Sequence, residues 1–363
     1  MTDFLYKLFS WYLANARDFP FRLTTDPYLI WLSEVIMQQT RIEQGIPYYN
    51  TFVEVFPTVH DLASAPEDEV LKQWQGLGYY TRARNLHTTA NEIVEKYGGE
   101  FPETYEGLLS LKGVGDYTAA AIASVCFGLP HPVMDGNVTR FITRHFGITG
   151  FVDQAAVKKE IMDVLARLMD GIGSLPMSGK QFARSLTPGN FNQSIIEFGA
   201  LYCVPRNPNC PECVFADSCY ALKYAMVEEL PLKKQQQPLK PRYFHYLIVQ
   251  VRGKKGFYFH KRTENDIWKG LYEFPLIETS KPATLERLIN TPDWKKFFGM
   301  SRFKVRWQST AKSHLLSHQK ITAKFYDLEI EEPSEEFGIL VPTEKINELP
   351  VPKIIEKQLN REP

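Results

Sequence analysis

Four of the five cysteines in this chain, Cys203, Cys210, Cys213 and Cys219, fall within 17 residues at the spacing C-x6-C-x2-C-x5-C. Thiolates held this close can converge on a soft metal centre. Two disulfides suit the sequence poorly. The chain is long, 363 residues, and its start carries no basic leader and no small-residue cleavage site. Zinc also accepts four cysteines, but it commonly takes two short C-x-x-C pairs, and only Cys210 and Cys213 make one. Spacing alone leaves an iron–sulfur cluster and zinc both open. The fifth cysteine, Cys126, stands apart in "AAIASVCFG" and reads as a buried apolar filler.

The sequence on either side of the cysteines has two textures, and the length suits two domains. Residues 1–222 read as helical. Segments such as "PYLIWLSEVIMQQTRIEQGIPYYNTF", "RARNLHTTANEIVEKY" and "AAVKKEIMDVLARLM" carry apolar residues at three- and four-residue steps, with Gly, Pro or Asp as breaks. The Gly-, Ser- and Pro-rich stretch 171–192 predicts a long surface loop. Residues 223–241 form a polar, proline-bearing linker. Residues 242–363 read as an α+β domain, in which "YFHYLIVQVRGKKGFYFHKRT" predicts a β-hairpin turning at "GKKG". Further strands are expected in "SRFKVRWQSTAKSHLLSHQKITAKFYDLEI".

Charge divides along the same line. Residues 1–222 hold 17 Lys and Arg against 24 Asp and Glu, and residues 223–363 hold 25 against 18. A polyanion could bind the first part only through a local patch and backbone donors. No apolar run approaches the roughly 20 residues needed to span a bilayer, so no membrane partner is expected. The expected location is the cytoplasm, in association with the nucleoid if the protein is bacterial.

Residues 111–119, "LKGVGDYTA", supply such a patch. Gly113 and Gly115 allow a sharp turn with exposed amides just before a helix, an arrangement that binds anions such as DNA phosphate. In "WLSEVIMQQT", Glu34 lies in an apolar helix between Leu32 and Val35, where burial would raise its pKa and keep a proton available. In "PVMDGNVTRF", Asp135 is placed to cap a helix, whose N-terminus favours the anionic form. A raised acid and an ionised carboxylate together suit cleavage of a glycosidic bond.

The cysteine spacing behind a helical domain with this hairpin resembles the iron–sulfur branch of the helix-hairpin-helix DNA glycosylases. The whole string around Glu34 is similar to the MutY-type adenine glycosylases within it. The resemblance implies a mainly helical N-terminal glycosylase domain over residues 1–222 with a 4Fe–4S cluster on the four cysteines, and a Nudix-like C-terminal domain over 242–363. It implies a monomer that removes adenine paired with 8-oxoguanine or guanine from double-stranded DNA. Glu34 would protonate the adenine, Asp135 would stabilise the cationic sugar, and Asn137 would orient the site. Tyr117 stands where bifunctional relatives carry an amine nucleophile. A phenol forms no Schiff base, so the base would be released without strand cleavage.

Contacts to DNA are expected from Arg22, from Gln39 as a filler of the vacated stack, and from Leu77, Tyr79, Arg82 and Arg84 in "QGLGYYTRARNL". The segment "DFPFR" departs from the family's P-W-R, with Phe21 as the aromatic and Arg22 retained. "NDIWKGLYEFPLIE" looks like the start of a Nudix fold. The glutamate-rich helix that holds magnesium in Nudix hydrolases is missing, which implies a recognition module. Leu316, Ser317 and His318 match the family's F-S-H loop, which reads 8-oxoguanine, with leucine in place of phenylalanine.

Overall fold

The structure is a computed structural model that describes residues 1–175, 179–234, 238–299, 301–332 and 335–360. It divides into two compact units, Met1–Ser64 with Thr88–Gln235, and Ala65–His87 with Gln236–Pro363.

The helices run in the order α1 (Thr2–Asn15), α2 (Pro27–Met37), α3 (Ile42–Val55), α4 (Val59–Ser64), α5 (Glu67–Gln73), α6 (Thr81–Tyr97), α7 (Tyr105–Ser110), α8 (Asp116–Cys126), α9 (Gly136–Phe146), α10 (Ala155–Asp170), α11 (Lys180–Ser185), α12 (Pro188–Leu201) and α13 (Tyr220–Lys223). In the first unit, α1, α9, α10 and α12 enclose a core that includes Leu8, Phe9, Phe141, Ile142, Ile161, Leu165 and Phe198. Helix α8 packs against α2 and α12. Its "TAAAIAS" run is buried, and these small side chains let the neighbouring backbones come close. Among the described residues, no helix is long and apolar enough to cross a membrane.

Two expectations for this unit change. The run expected as one helix from Pro27 onward breaks after Met37, and Gln39 takes a left-handed backbone at φ 57°. Such a conformation is uncommon for a side chain other than Gly. The loop expected at 171–192 is largely helical, with a short 3-10 turn at Gly171–Ser174 followed by α11 and α12. The Gly, Ser and Pro there are punctuation. Thr187 caps α12 by accepting from the Asn190 amide at 3.1 Å, and Pro188 occupies the first turn. Residues 176–178 of that stretch lie outside the described residues.

The second unit adds strands β1 (Lys240–Val251), β2 (Phe257–Lys261), β3 (Tyr272–Glu273), β4 (Leu276–Thr279), β5 (Phe303–Gln308), β6 (Lys312–Leu315), β7 (Gln319–Ile330) and β8 (Ile339–Val341). It also holds helices α14 (Leu285–Leu288), α15 (Pro292–Phe298) and α16 (Lys353–Leu359). One sheet runs β4-β1-β7-β5, with β6 also on β7, and the other runs β3-β2-β8.

The hairpin expected at "GKKG" does not form. Strand β1 pairs in parallel with β7 from Lys240↔Gln319 to Val251↔Ile330, while β2 pairs with β3 and β8. Gly256 explains the divergence. Its φ is +132°, and a Cβ there would lie 2.3 Å from the Val341 carbonyl oxygen, so only glycine lets the chain cross against β8.

Segment 65–87, assigned by sequence to the first domain, groups with the second unit. Asp68 accepts from Lys261 Nζ at 2.6 Å and from the Tyr272 hydroxyl at 3.0 Å, and Gln75 donates to Glu356 at 3.1 Å. The start of the expected linker is anchored to the first unit. Arg144 donates to the Leu230 carbonyl at 2.9 Å, Val152 donates to that of Leu232 at 3.1 Å, and Lys234 pairs with Asp153. Residues 235–237 of the linker lie outside the described residues.

Candidate active site

In the first unit, a cavity of about 110 Å³ is lined by Glu34, Tyr117, Arg22, Ser33, Asn192 and Gln193, with apolar side chains between them. Each polar group comes from a different local cause. Glu34 is on α2, whose N-terminus is set by Pro27 and by the Asp26 side chain accepting from the Tyr28 amide at 2.8 Å. Tyr117 is in the first turn of α8, immediately after the glycine turn.

The electrostatics fit an acid that holds its proton. Burial pushes the Glu34 carboxyl up to about 7. The Tyr117 hydroxyl, which hydrogen-bonds to it, and Arg22 pull the other way, while the Asp135 charge adds to the rise. Burial, helped by the Glu34 and Asp135 charges, drives the Tyr117 phenol well above its ordinary value, so it stays a neutral donor.

Asp135 does not line the cavity, but its charge is felt by both groups. It is the N-cap of α9. One oxygen accepts from the Val138 amide at 2.7 Å and the other from Asn137 Nδ2 at 2.8 Å. Burial lifts its pKa above the usual aspartate value. The Val138 and Asn137 donors and the Arg140 charge favour the ionised form. Asn137 therefore holds Asp135, and is itself held by Arg140 at 3.0 Å.

Arg22, expected on DNA, is turned inward. It and Arg17 grip the buried Glu197, with contacts of 2.8 Å from Arg22 Nη2 and 2.9 Å from Arg17 Nη2. Burial acts to raise the Glu197 pKa, but these bonds hold it down at about 2. Sequence reading missed Glu197, Asn192 and Gln193. The apolar pattern of α12 hides them, since a buried carboxylate there looks like any helix-face residue.

At the hairpin, Gly113 has φ +77°, and Gly115 is the N-cap of α8. Among the described residues, neither donates its amide to another backbone group. A Cβ at Gly115 would meet nothing within 4 Å, so this turn faces open space.

The second unit has a separate cleft of about 280 Å³, lined by Tyr79, Arg84, Trp268, Leu316, Ser317 and His318 among others. The last three form the tip of the antiparallel β6–β7 hairpin, closed by Leu316 donating to the Gln319 carbonyl at 2.9 Å. Ser317 and His318 are exposed, and the Ser317 hydroxyl lies 3.1 Å from His318 Nδ1. Tyr79 is 48% exposed with φ 47°. Leu77 is 7% exposed, so it is a core residue and not the expected wedge. Arg82 lies over the Trp74 ring at 5.0 Å, and burial brings its pKa down to about 10.

The four clustered cysteines line one cavity with Arg144, Phe141, Phe198 and Phe215. Arg144 Nη1 is 3.6 Å from Cys203 Sγ, and its carbonyl is 3.7 Å from Cys219 Sγ. Four thiols facing one space beside a guanidinium suit an anionic thiolate-bound metal centre. Among the described residues, no three His, Cys, Asp or Glu side chains are grouped so as to hold a single metal ion.

The first unit thus pairs an amide-presenting glycine turn with a buried carboxyl that holds its proton, and the second carries two sheets. Residues 32–167 match the HhH-GPD superfamily base excision DNA repair proteins, and residues 245–361 match the NUDIX domain. The adenine DNA glycosylase of Buchnera aphidicola (from Acyrthosiphon pisum) is 32% identical over 300 residues, covering 80% of each chain. That of Rattus norvegicus is 38% identical over 385 residues, covering 91% of this chain and 71% of its own. A thermostable thymine-DNA glycosylase structure aligns at TM-score 0.51 and 26% identity, covering 61% of this chain and 95% of that one. The chain belongs to the adenine DNA glycosylase family, and is a hydrolase of N-glycosidic bonds acting on DNA.

Proposed function

We propose that this enzyme excises adenine paired with 8-oxoguanine, and adenine mispaired with guanine, from double-stranded DNA, as a cytoplasmic monomer. The observation that carries the chemical part is the Glu34 carboxyl, lifted to about 7 by burial beside Tyr117. The adenine leaves the stack and enters the Glu34 cavity, at a cost of about a few kcal/mol in lost pairing and stacking. Glu34 gives its proton to the purine as the glycosidic bond breaks and its electrons pass to the base. Asp135 faces the resulting cationic sugar, which water then captures, the proton that the water loses returning to the Glu34 carboxylate. Tyr117 offers no amine, so the product is an abasic site in an intact strand.

The second-unit cleft supports the lesion reading. The exposed Ser317 hydroxyl and His318 can meet an oxidised guanine edge, and the half-exposed Tyr79 ring, with the Arg82 guanidinium 5.6 Å from its centroid, offers a stacking surface. Gly113 and Gly115 amides, with Arg82 and Arg84, are assigned to phosphates, and Gln39 to the vacated stack. Cys203, Cys210, Cys213 and Cys219 are assigned to a 4Fe–4S cluster, which when bound would tie together the loop after α12. A purified protein with stoichiometric zinc and no iron would reassign that cavity to zinc.

The test is single-turnover base release from duplexes with adenine opposite 8-oxoguanine, guanine or thymine. Release is expected to be fastest opposite 8-oxoguanine and to fall by about 10²–10⁴-fold in Glu34→Gln. Equal release opposite thymine would remove the lesion assignment. A borohydride-trapped adduct would overturn the assignment of Tyr117.

A further inference from the structure

The second unit contains a larger cavity, of about 740 Å³, that shares no lining residue with the Tyr79–Ser317 cleft. Its floor is a row across three strands. Ile248 on β1 is in register with Asp327 on β7, and Asp327 with Trp307 on β5. Residues in register on neighbouring strands project from the same face of the sheet. A bulge between Val305 and Trp307 creates this pairing. Without the extra residue, Arg306 would stand opposite Asp327, so the bulge re-aims the indole into the cavity.

The chemistry of the lining is specific. Trp307 is 42% exposed, although it is a large apolar ring. Phe257 and Phe274 add aromatic surface, with ring centroids 6.4 Å apart. The polar groups are ordered. Gln250 Nε2 donates to Asp327 Oδ1 at 3.4 Å, and Gln250 Oε1 accepts from Arg306 at 2.8 Å. Burial lifts the Asp327 carboxyl above its ordinary pKa, so it gains from an added donor. An aromatic platform beside an amide and a carboxyl fits a flat heteroaromatic ring with donors and acceptors on its edge. The magnesium-binding glutamates of a Nudix hydrolase are missing from this domain, so a nucleotide held here would not be cleaved.

We propose that this cavity is a second nucleobase-binding site, in which a base stacks on Trp307 and presents its polar edge to Asp327 and Gln250. The base can come from a free nucleotide or from an unpaired nucleotide of DNA, since both offer the same ring. The site is independent of the adenine chemistry assigned to Glu34.

Calorimetric titration of the full-length Glu34→Gln protein separates these sources. One arm uses dGMP and dAMP. The other uses a duplex with one unpaired guanine and no lesion, against the fully paired duplex. Trp307→Ala and Asp327→Asn, each added to Glu34→Gln, should weaken binding in at least one arm by about tenfold or more, the range seen when a stacking aromatic is removed. Loss in the nucleotide arm alone identifies a free nucleotide, and loss in the duplex arm identifies a DNA base. The same substitutions in the Glu34 protein should leave adenine release from a blunt duplex unchanged, which shows that the fold survives. Binding that neither substitution alters, or no binding in either arm, overturns the proposal.

Discussion

The Glu34 cavity and the Tyr79–Ser317 cleft are built in opposite ways. The first is made by helices, and the charged groups in it and packed around it are already committed. Glu34 is bonded to Tyr117, Asp135 to Val138 and Asn137, and Glu197 to Arg17 and Arg22. Its charges are shifted before any ligand arrives, as electrostatic preorganisation requires. The second is made by a hairpin tip and a glycine-flanked turn, with Ser317, His318, Leu315 and Tyr79 exposed. Rigid helices set the protonation state of a reacting group, while an exposed tip can meet a base edge that varies.

The comparison is tested most severely at Glu34. Glu34→Gln should lower single-turnover adenine release by about 10²–10⁴-fold, the usual contribution of a positioned acid, with duplex affinity kept. A variant that retained its rate would show that the helical cavity does not perform the chemistry. Next in size is Glu197→Ala, which leaves Arg17 and Arg22 without their buried partner. Thermal or urea unfolding should show a loss of about 3–5 kcal/mol. Because the Glu197 pKa lies at about 2, its contribution is present at neutral pH and is lost as pH falls below the ordinary carboxylate range.

Ser317→Ala probes the other region. It should narrow the preference for 8-oxoguanine over guanine by about 0.5–1.5 kcal/mol, the worth of one hydrogen bond, with the maximal rate retained. An equal fall opposite both bases would mean that the cleft supports catalysis and does not read the lesion. The smallest effect concerns pH. Glu34 is raised, so the folded protein keeps this proton up to about 7, and adenine release from prebound duplex should decline as pH rises through that value. Folding stability falls across the same window, from the ordinary carboxylate value up to about 7. In Tyr117→Phe, a bond that favours ionised Glu34 is gone, and the alkaline limb should move to higher pH.

Much of the chemistry was legible in the sequence, because it depends on local order. A carboxylate within an apolar helical run predicts a raised acid, and Glu34 is one. Asp before an apolar-periodic helix predicts a cap, and Asp135 is one. Leu77 was misread because a glycine-flanked position looks like a loop, while its side chain belongs to a core. The "GKKG" turn was misread because alternation predicts a strand but not its partner, and β1 found its partner far along the chain in β7.

The sequence by itself determined which short segments carry an acid, a helix cap, a glycine turn and four neighbouring thiols. These follow from residue type and spacing within a few turns of backbone. Tertiary structure decided that Glu197 would meet Arg17 and Arg22, 180 and 175 residues away, and that Tyr79 would share a cleft with Ser317. It also decided that Trp307 would stand beside Asp327. Periodicity reports that a face is apolar or a position exposed. Which distant group faces it depends on how the elements pack, and those long-range contacts have no local signature.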